Sequence, residues 1–175
     1  MDAHYLKSLL HYNPKTGLFT WAQRKGNSRI GTLAGTLANG YIQIRIDGSY
    51  YLAHRLAWLY VTGTLPAFQI DHCDLNRSNN TWTNLREATC KQNHQNRTKT
   101  SRNKSGYLGV SLHKATGKFL ACIKVDYVGH NLGLYNTAED AYEAYKAAKR
   151  KFHKFNPVPV IRQEKSVEST VGNSR

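Results

Sequence analysis

From Tyr41 the chain alternates apolar and polar positions through Ile42, Gln43, Ile44, Arg45 and Ile46, breaks at Asp47-Gly48, and resumes from Tyr50 to Leu52. A two-residue period interrupted by Asp-Gly is the pattern of a β-hairpin. The period then changes. Ala53, Leu56, Ala57 and Tyr60 fall on one face at helical spacing, and Gly63 and Pro66 close the segment, which predicts a short helix over 54–62 leading into a strand that ends in Asp71-His72. In the first forty residues, turn signals at Asn13-Pro14 and Thr16-Gly17 ahead of Phe19-Thr20-Trp21 predict further short strands.

Beyond residue 104 the stretch GYLGVSLHKATGKFLACIKVDYVGHNLGLYNT carries three β-type segments separated at 114–118 and 126–129, the pattern of an antiparallel three-stranded sheet. Thr137, with Asp140 three residues on, is placed as the cap of a helix over AEDAYEAYKAAKRKF. Ala141, Tyr145, Ala148 and Phe152 recur at helical spacing, giving a largely small-residue face for the sheet. The two halves are joined by KQNHQNRTKTSRNK, which has five Lys/Arg and no acid or aliphatic residue. After Phe155, two prolines and little apolar periodicity predict a disordered tail. The expected architecture is α+β: residues 1–96, a basic linker over 97–104, a sheet-and-helix module over 105–155, and a tail over 156–175.

Charge gives this architecture a partner. Twenty-five Lys+Arg against 11 Asp+Glu leave a net +14 in 175 residues, a balance that attracts polyanions. No run is apolar enough to span a bilayer and the N-terminus lacks a signal-peptide core, so double-stranded DNA rather than a membrane is the expected partner, in the cytoplasm. Arg97, Lys99, Arg102 and Lys104 of the linker are expected along a phosphate backbone, against the plainer reading of a solvated loop. Cys73, Cys90 and Cys122 form no CxxC pair and are odd in number, which suggests reduced packing residues rather than a disulfide scaffold. A monomer with no small-molecule cofactor is expected.

The stretch IDHCDLNRSNNTWTNLREATCKQN sets Asp71 beside His72 and then places asparagines at 76, 79, 80, 84 and 93. In a basic protein this combination suits phosphodiester hydrolysis. Drawing a proton from water calls for a base that is neutral near physiological pH, which a histidine can be. A hard divalent cation held by oxygen ligands such as Asp71 and an Asn amide would neutralise charge on the phosphate. Most of the asparagines are expected only to satisfy loop backbone groups.

The run AHRLAWLYVTGTLPAFQIDHCDLNRSNNTWTNLREATCKQNHQN resembles the catalytic module of phage-type HNH endonucleases, in which an Asp-His ending one strand is followed by a loop, a second strand starting at Asn-Leu-Arg, and a helix with the last motif residue. The resemblance implies a ββα-metal fold, His72 as general base, and Asn84 as the residue that braces the loop and orients the histidine. It implies Asp71 and Asn93 as ligands of one divalent ion, Mg2+ with Mn2+ as the alternative. Asn96 and His94 are second choices for the last position. Relatives commonly read Asp-His-Ile and then Asn-Gly-Asp, where this chain has Cys73-Asp74-Leu75-Asn76, so the loop after the base is expected to differ; Asp74 is expected to make its own turn. His54 is expected to be a packed structural histidine and Arg55 to reach phosphate. A zinc site from Cys73, Cys90, His72 and His94 lacks the close ligand pairs of structural zinc.

The second half, SGYLGVSLHKATGKFLACIKVDYVGHNLGLYNTAEDAYEAY, resembles the Apetala-type DNA-binding domain through Tyr107, Gly109-Val110, Leu132-Gly133 and Thr137-Ala138-Glu139. That resemblance implies a sheet lying in the major groove, with Ser111, His113, Lys118 and Lys124 as contact residues. Leu108 and Ser111 stand where plant members carry Arg, so the plant recognition sequence does not transfer. The sequence therefore points to a homing-type, phage-encoded endonuclease. A DNA-binding regulator on the same modules is the competing class, and a nucleic-acid-packaging protein leaves Asp71, His72 and Asn93 without a purpose.

Overall fold

The computed structural model describes residues 1–96 and 103–155. Arg97, Lys99, Arg102 and the segment 156–175 lie outside the described residues. The fold mixes helices with small antiparallel sheets and has two separate apolar cores.

The N-terminal half starts with a helix the residue pattern did not predict, α1 (Ala3–Leu9), capped by the Asp2 side chain accepting from the Tyr5 amide. Seven residues are too few to establish a 3.6-residue period; the helix persists because Leu6 and Leu9 are buried in the core. Strands β1 (Leu10–Asn13), β2 (Leu18–Trp21) and β3 (Leu33–Ala34) form one sheet, and β4 (Thr36–Ala38), β5 (Tyr41–Ile46) and β6 (Ser49–Leu52) a second. Both residues of the β5–β6 turn have positive φ, Asp47 at 49° and Gly48 at 83°, which matches strand twist in a two-residue hairpin. Helix α2 (Ala53–Thr62) ends at Gly63 in the left-handed conformation, its N–H donating to the Leu59 carbonyl. Leu56, Ala57 and Leu59 of α2 pack with Ile44 and Ile46 of β5 and with Leu6 and Leu9 of α1.

This core presents the motif strands. Strand β7 (Gln69–His72) pairs antiparallel with β8 (Leu85–Ala88), setting Asp71 opposite Arg86 and His72 opposite Leu85. A single turn, α3 (Cys90–Asn93), follows, closed by a capping box between Thr89 and Gln92.

In the second half β9 (Val110–His113), β10 (Lys118–Val125) and β11 (Val128–Tyr135) form a meander with β10 in the middle, and α4 (Ala138–Phe152), capped by Thr137, covers one face. Val110, Ala121 and Ile123 meet Ala141, Tyr145 and Ala148 there. At Gly109 (φ +74°) a Cβ would sit 2.1 Å from the Tyr145 ring, so the approach of this loop to α4 requires glycine. Phe152 departs from the expected face. It is exposed and stacks on His130, while Tyr142 and Lys149 complete the buried face. The halves meet where Lys91 pairs with Asp126 at 2.6 Å and Arg86 with Phe155.

Candidate active site

His72 closes β7, and the loop beyond it is built by the residues that made the sequence unusual. Asp74 turns on itself, its Oδ1 accepting from the Asn76 amide at 2.8 Å, and its Oδ2 accepts from Asn79 Nδ2 at 2.8 Å. Asn84 is bonded into this loop, accepting from the Asp74 amide at 3.0 Å and donating to Asp74 Oδ1 at 2.9 Å and the Asn79 carbonyl at 2.8 Å. These side-chain bonds lie within the loop, and the side chain that meets the imidazole is Asn80, with Oδ1 3.1 Å from His72 Nε2. An oxygen acceptor there makes Nε2 the protonated ring nitrogen and leaves the lone pair on Nδ1.

Asn80, 2% exposed, is held by a distant part of the chain. The Tyr12 hydroxyl donates to its carbonyl at 2.7 Å, and Gly17 (φ +73°) lies so close that a Cβ would come within 2.4 Å of the Asn80 carbonyl carbon. The β1–β2 turn thus pins the residue that orients His72. Residue identity alone could not separate Asn80 from its neighbours.

His72 is 5% exposed, and burial lowers its pKa, opposed by the Asn80 bond and the Asp74 and Asp71 charges. His54 is the packed histidine expected, its ring 5.0 Å from that of His72 at 83°. Burial, with smaller contributions from His72 and Arg55, pushes its pKa down to about 4, so it stays neutral at physiological pH. Arg77, which the sequence analysis passed over, lies 5.0 Å from the Tyr41 ring and also lowers the His72 pKa.

Asp71 is 5% exposed, with most of its hydrogen bonds on Oδ2. Arg86, across the strand pair, donates from Nε at 3.0 Å and Nη2 at 2.8 Å to Oδ2. Asn96 Nδ2 lies 2.9 Å from each carboxylate oxygen and 2.8 Å from the His72 carbonyl. Asn93 is half-buried and donates to Gln69 Oε1 at 2.7 Å. The helix is one turn long, and the turn after it carries Asn96, rather than Asn93, under Asp71. His94 is exposed, 3.9 Å from Cys90 Sγ.

Among the described residues no three of His, Cys, Asp and Glu gather as metal ligands. What does gather is one buried carboxylate, one amide and one backbone carbonyl. With the Asn96 amide turned to present its oxygen, these groups would make an all-oxygen donor set that fits a hard cation such as Mg2+ or Mn2+ rather than a thiolate-seeking one. Asn96 would join as a ligand by rotating its amide half a turn, because Oδ1 facing a carboxylate is favourable only with a cation between them.

The expected DNA contacts divide by position. Arg55 is half-buried on α2 and Lys104 is exposed. In the second half, β9–β10 pairing sets Lys118 opposite His113 and Leu120 opposite Ser111. With Val110, Ala121 and Ile123 facing α4, strand alternation puts Ser111, His113, Lys118 and Lys124 together on the other face. His113 Nδ1 is engaged with Thr116 Oγ1 at 2.9 Å. No helix among the described residues is long and apolar enough to cross a membrane.

Residues 51–95 match the family model of HNH endonucleases, so this segment, which holds Asp71, His72 and Asn84, is a DNA-cleaving hydrolase module. The match ends before Asn96 and does not include the C-terminal sheet. The HNH homing endonuclease I-HmuI, solved in a study of its DNA binding and cleavage, is similar at 20% identity over 87% of this chain and 90% of that one, with a TM-score of 0.43. Comparison with curated proteins finds no match.

Proposed function

We propose that the protein is a homing-type, divalent-cation-dependent endonuclease acting on double-stranded DNA. The observation that carries this reading is the pairing, inside the matched segment, of a buried His72 whose Nε2 is fixed on Asn80 with a buried Asp71 that shares Asn96. His72 Nδ1 takes the proton from the attacking water, and its lowered pKa keeps it neutral and ready to do so at physiological pH. His54, neutral and edge-on, holds the imidazole without adding a competing charge. Asp71 and Asn96 would hold the cation, Mg2+ or alternatively Mn2+, with the His72 carbonyl beside them. When bound, it would polarise the scissile phosphate and stabilise the leaving oxygen. Arg55 and Arg77 supply positive charge beside the site.

The rest of the chain supplies duplex affinity in this reading. Arg97, Lys99, Arg102 and Lys104 follow the backbone, and the face of the C-terminal sheet bearing Ser111, His113, Lys118 and Lys124 enters the groove in the manner of an Apetala-type domain. The division into 1–96, 97–104 and 105–155 accords with the two apolar cores.

The test is incubation of the full chain with supercoiled plasmid, with and without Mg2+. Cleavage that requires the cation and disappears in His72→Ala, while DNA affinity is kept, supports the proposal. Wild-type binding without cleavage under any divalent cation would indicate a DNA-binding regulator instead.

A further inference from the structure

Asp71 lies in the N-terminal half, yet the group that holds its partner comes from the other end of the described chain. Arg86 spends Nε and Nη2 on Asp71 Oδ2, while its Nη1 donates to the Phe155 carbonyl at 3.0 Å and its guanidinium carbon lies 3.8 Å from the centre of the Phe155 ring. The guanidinium is thus fixed at one edge by a carboxylate and at another by a carbonyl, with an aromatic face laid on its plane. Planar stacking plus a forked donor set is a geometry that Arg fills and Lys does not. Phe155 stands just past the end of α4, in the half that bears the sheet.

We infer that Phe155 is a positioning residue for the nuclease site: it immobilises Arg86, and through Arg86 the Asp71 carboxylate, so that the cation site is completed by the C-terminal half of the chain. The inference rests on the endonuclease reading. Its chemical content lies in the two carboxylate oxygens. Arg86 saturates Oδ2, so Oδ1, which accepts only from Asn96 among the hydrogen bonds described, is the oxygen turned to a cation. If the Phe155 ring is removed, Arg86 keeps its charge and the residue-155 carbonyl but loses the aromatic face that restrains its guanidinium, and the carboxylate can rotate with it. Misplacing a reacting group by about 1 Å costs on the order of a hundredfold in rate; a freed but still paired Arg86 spends part of its time in register, so about a tenfold loss is expected.

The experiment uses the full chain as wild type, Phe155→Ala, Phe155→Leu, Phe155→Tyr, Arg86→Lys and the Phe155→Ala/Arg86→Lys double variant. Each is measured for kcat and KM on supercoiled plasmid in Mg2+, for Mn2+ affinity without DNA by electron paramagnetic resonance, and for melting temperature. Phe155→Ala and Phe155→Leu should both lower kcat about tenfold, leave KM for DNA unchanged, weaken Mn2+ binding several-fold, and melt with the wild type. Phe155→Tyr, which keeps the ring, should restore both readouts. Arg86→Lys should show a similar or larger loss, and adding Phe155→Ala to it should change nothing further.

Wild-type kcat and Mn2+ affinity in Phe155→Ala would overturn the inference. So would a loss confined to KM, which would make Phe155 a DNA contact, or losses that multiply in the double variant, which would mean it does not act through Arg86. A lowered melting temperature in Phe155→Ala with normal Mn2+ affinity would reduce the residue to packing, against the proposal. If the wild type fails to cut DNA, the endonuclease reading fails, whereas the Mn2+ titrations still decide the link from Phe155 to Asp71.

Discussion

Asn80→Ala separates the orientation of His72 from every other property of the site. The substitution removes the acceptor 3.1 Å from His72 Nε2 and leaves the backbone carbonyl that receives the Tyr12 hydroxyl. Because both side chains are almost wholly buried, water cannot easily replace the lost amide, and an unsatisfied buried donor costs about 1–3 kcal/mol. The protein escapes this cost by turning the ring or by moving the proton to Nδ1, and either escape removes the lone pair from the water side. At about 1.4 kcal/mol per tenfold, the plateau rate should fall roughly 5- to 150-fold. The pH dependence adds a sign. The Asn80 bond raises the His72 pKa, so its loss lowers that pKa and moves the acidic limb of the rate profile to lower pH, whereas Asn80→Asp, with a carboxylate on Nε2, should move it to higher pH. The assay is single-turnover plasmid cleavage across about pH 5 to 9, with melting curves to confirm a folded variant. A wild-type plateau in Asn80→Ala, or an acidic limb displaced upward, would refute the orientation argument.

Asn96→Ala should raise the Mg2+ concentration needed for half-maximal cleavage about tenfold or more, while Asn93→Ala changes it little; a cation titration of both settles which asparagine faces the cation. His54 has a folded-state pKa of about 4 against an ordinary 6.5, so the unfolded chain binds the extra proton first: stability is full above about pH 6.5 and falls as pH drops toward 4, by about 3 kcal/mol, as denaturant titrations at several pH values can show. Lys149 is wholly buried with no hydrogen-bond partner among the described residues, and burial, then Arg86, lowers its pKa to about 8; the fold is penalised below that pH and relieved as pH rises toward 10.5, so Lys149→Met should stabilise the protein at pH 7 by about 2 kcal/mol in the same assay. Lys118→Ala with Lys124→Ala should weaken duplex binding and reduce its salt slope by about two, with kcat at saturating DNA unchanged.

What could be read from the sequence followed from how local its cause was. The β5–β6 hairpin, α2 with its glycine stop, the Asp-His strand and the C-terminal sheet with its capped helix are each specified by residues within a few positions of one another. What the residue pattern left open depends on contacts outside the motif itself. Asn93 and Asn96 differ by one turn, and a four-residue helix gives no period from which to choose between them. Asn80 is distinguished from its neighbours only because Gly17 and Tyr12, more than sixty residues away, fix its backbone. Arg86 stands in the expected Asn-Leu-Arg, but its role depends on strand register and on Phe155 at the far end of the described chain.

The Gly17 contact bears on where the nuclease can be cut or transplanted. A fragment trimmed to residues 51–95 would retain Asp71, His72, Asn80, Asn84 and Arg86 but not the first hairpin, whose turn presses on the Asn80 backbone. The portable unit is therefore longer than the stretch by which the family is detected. A donor segment moved into another scaffold would have to take α1, β1 and β2 with it, or find a host loop that brings a glycine against the same peptide.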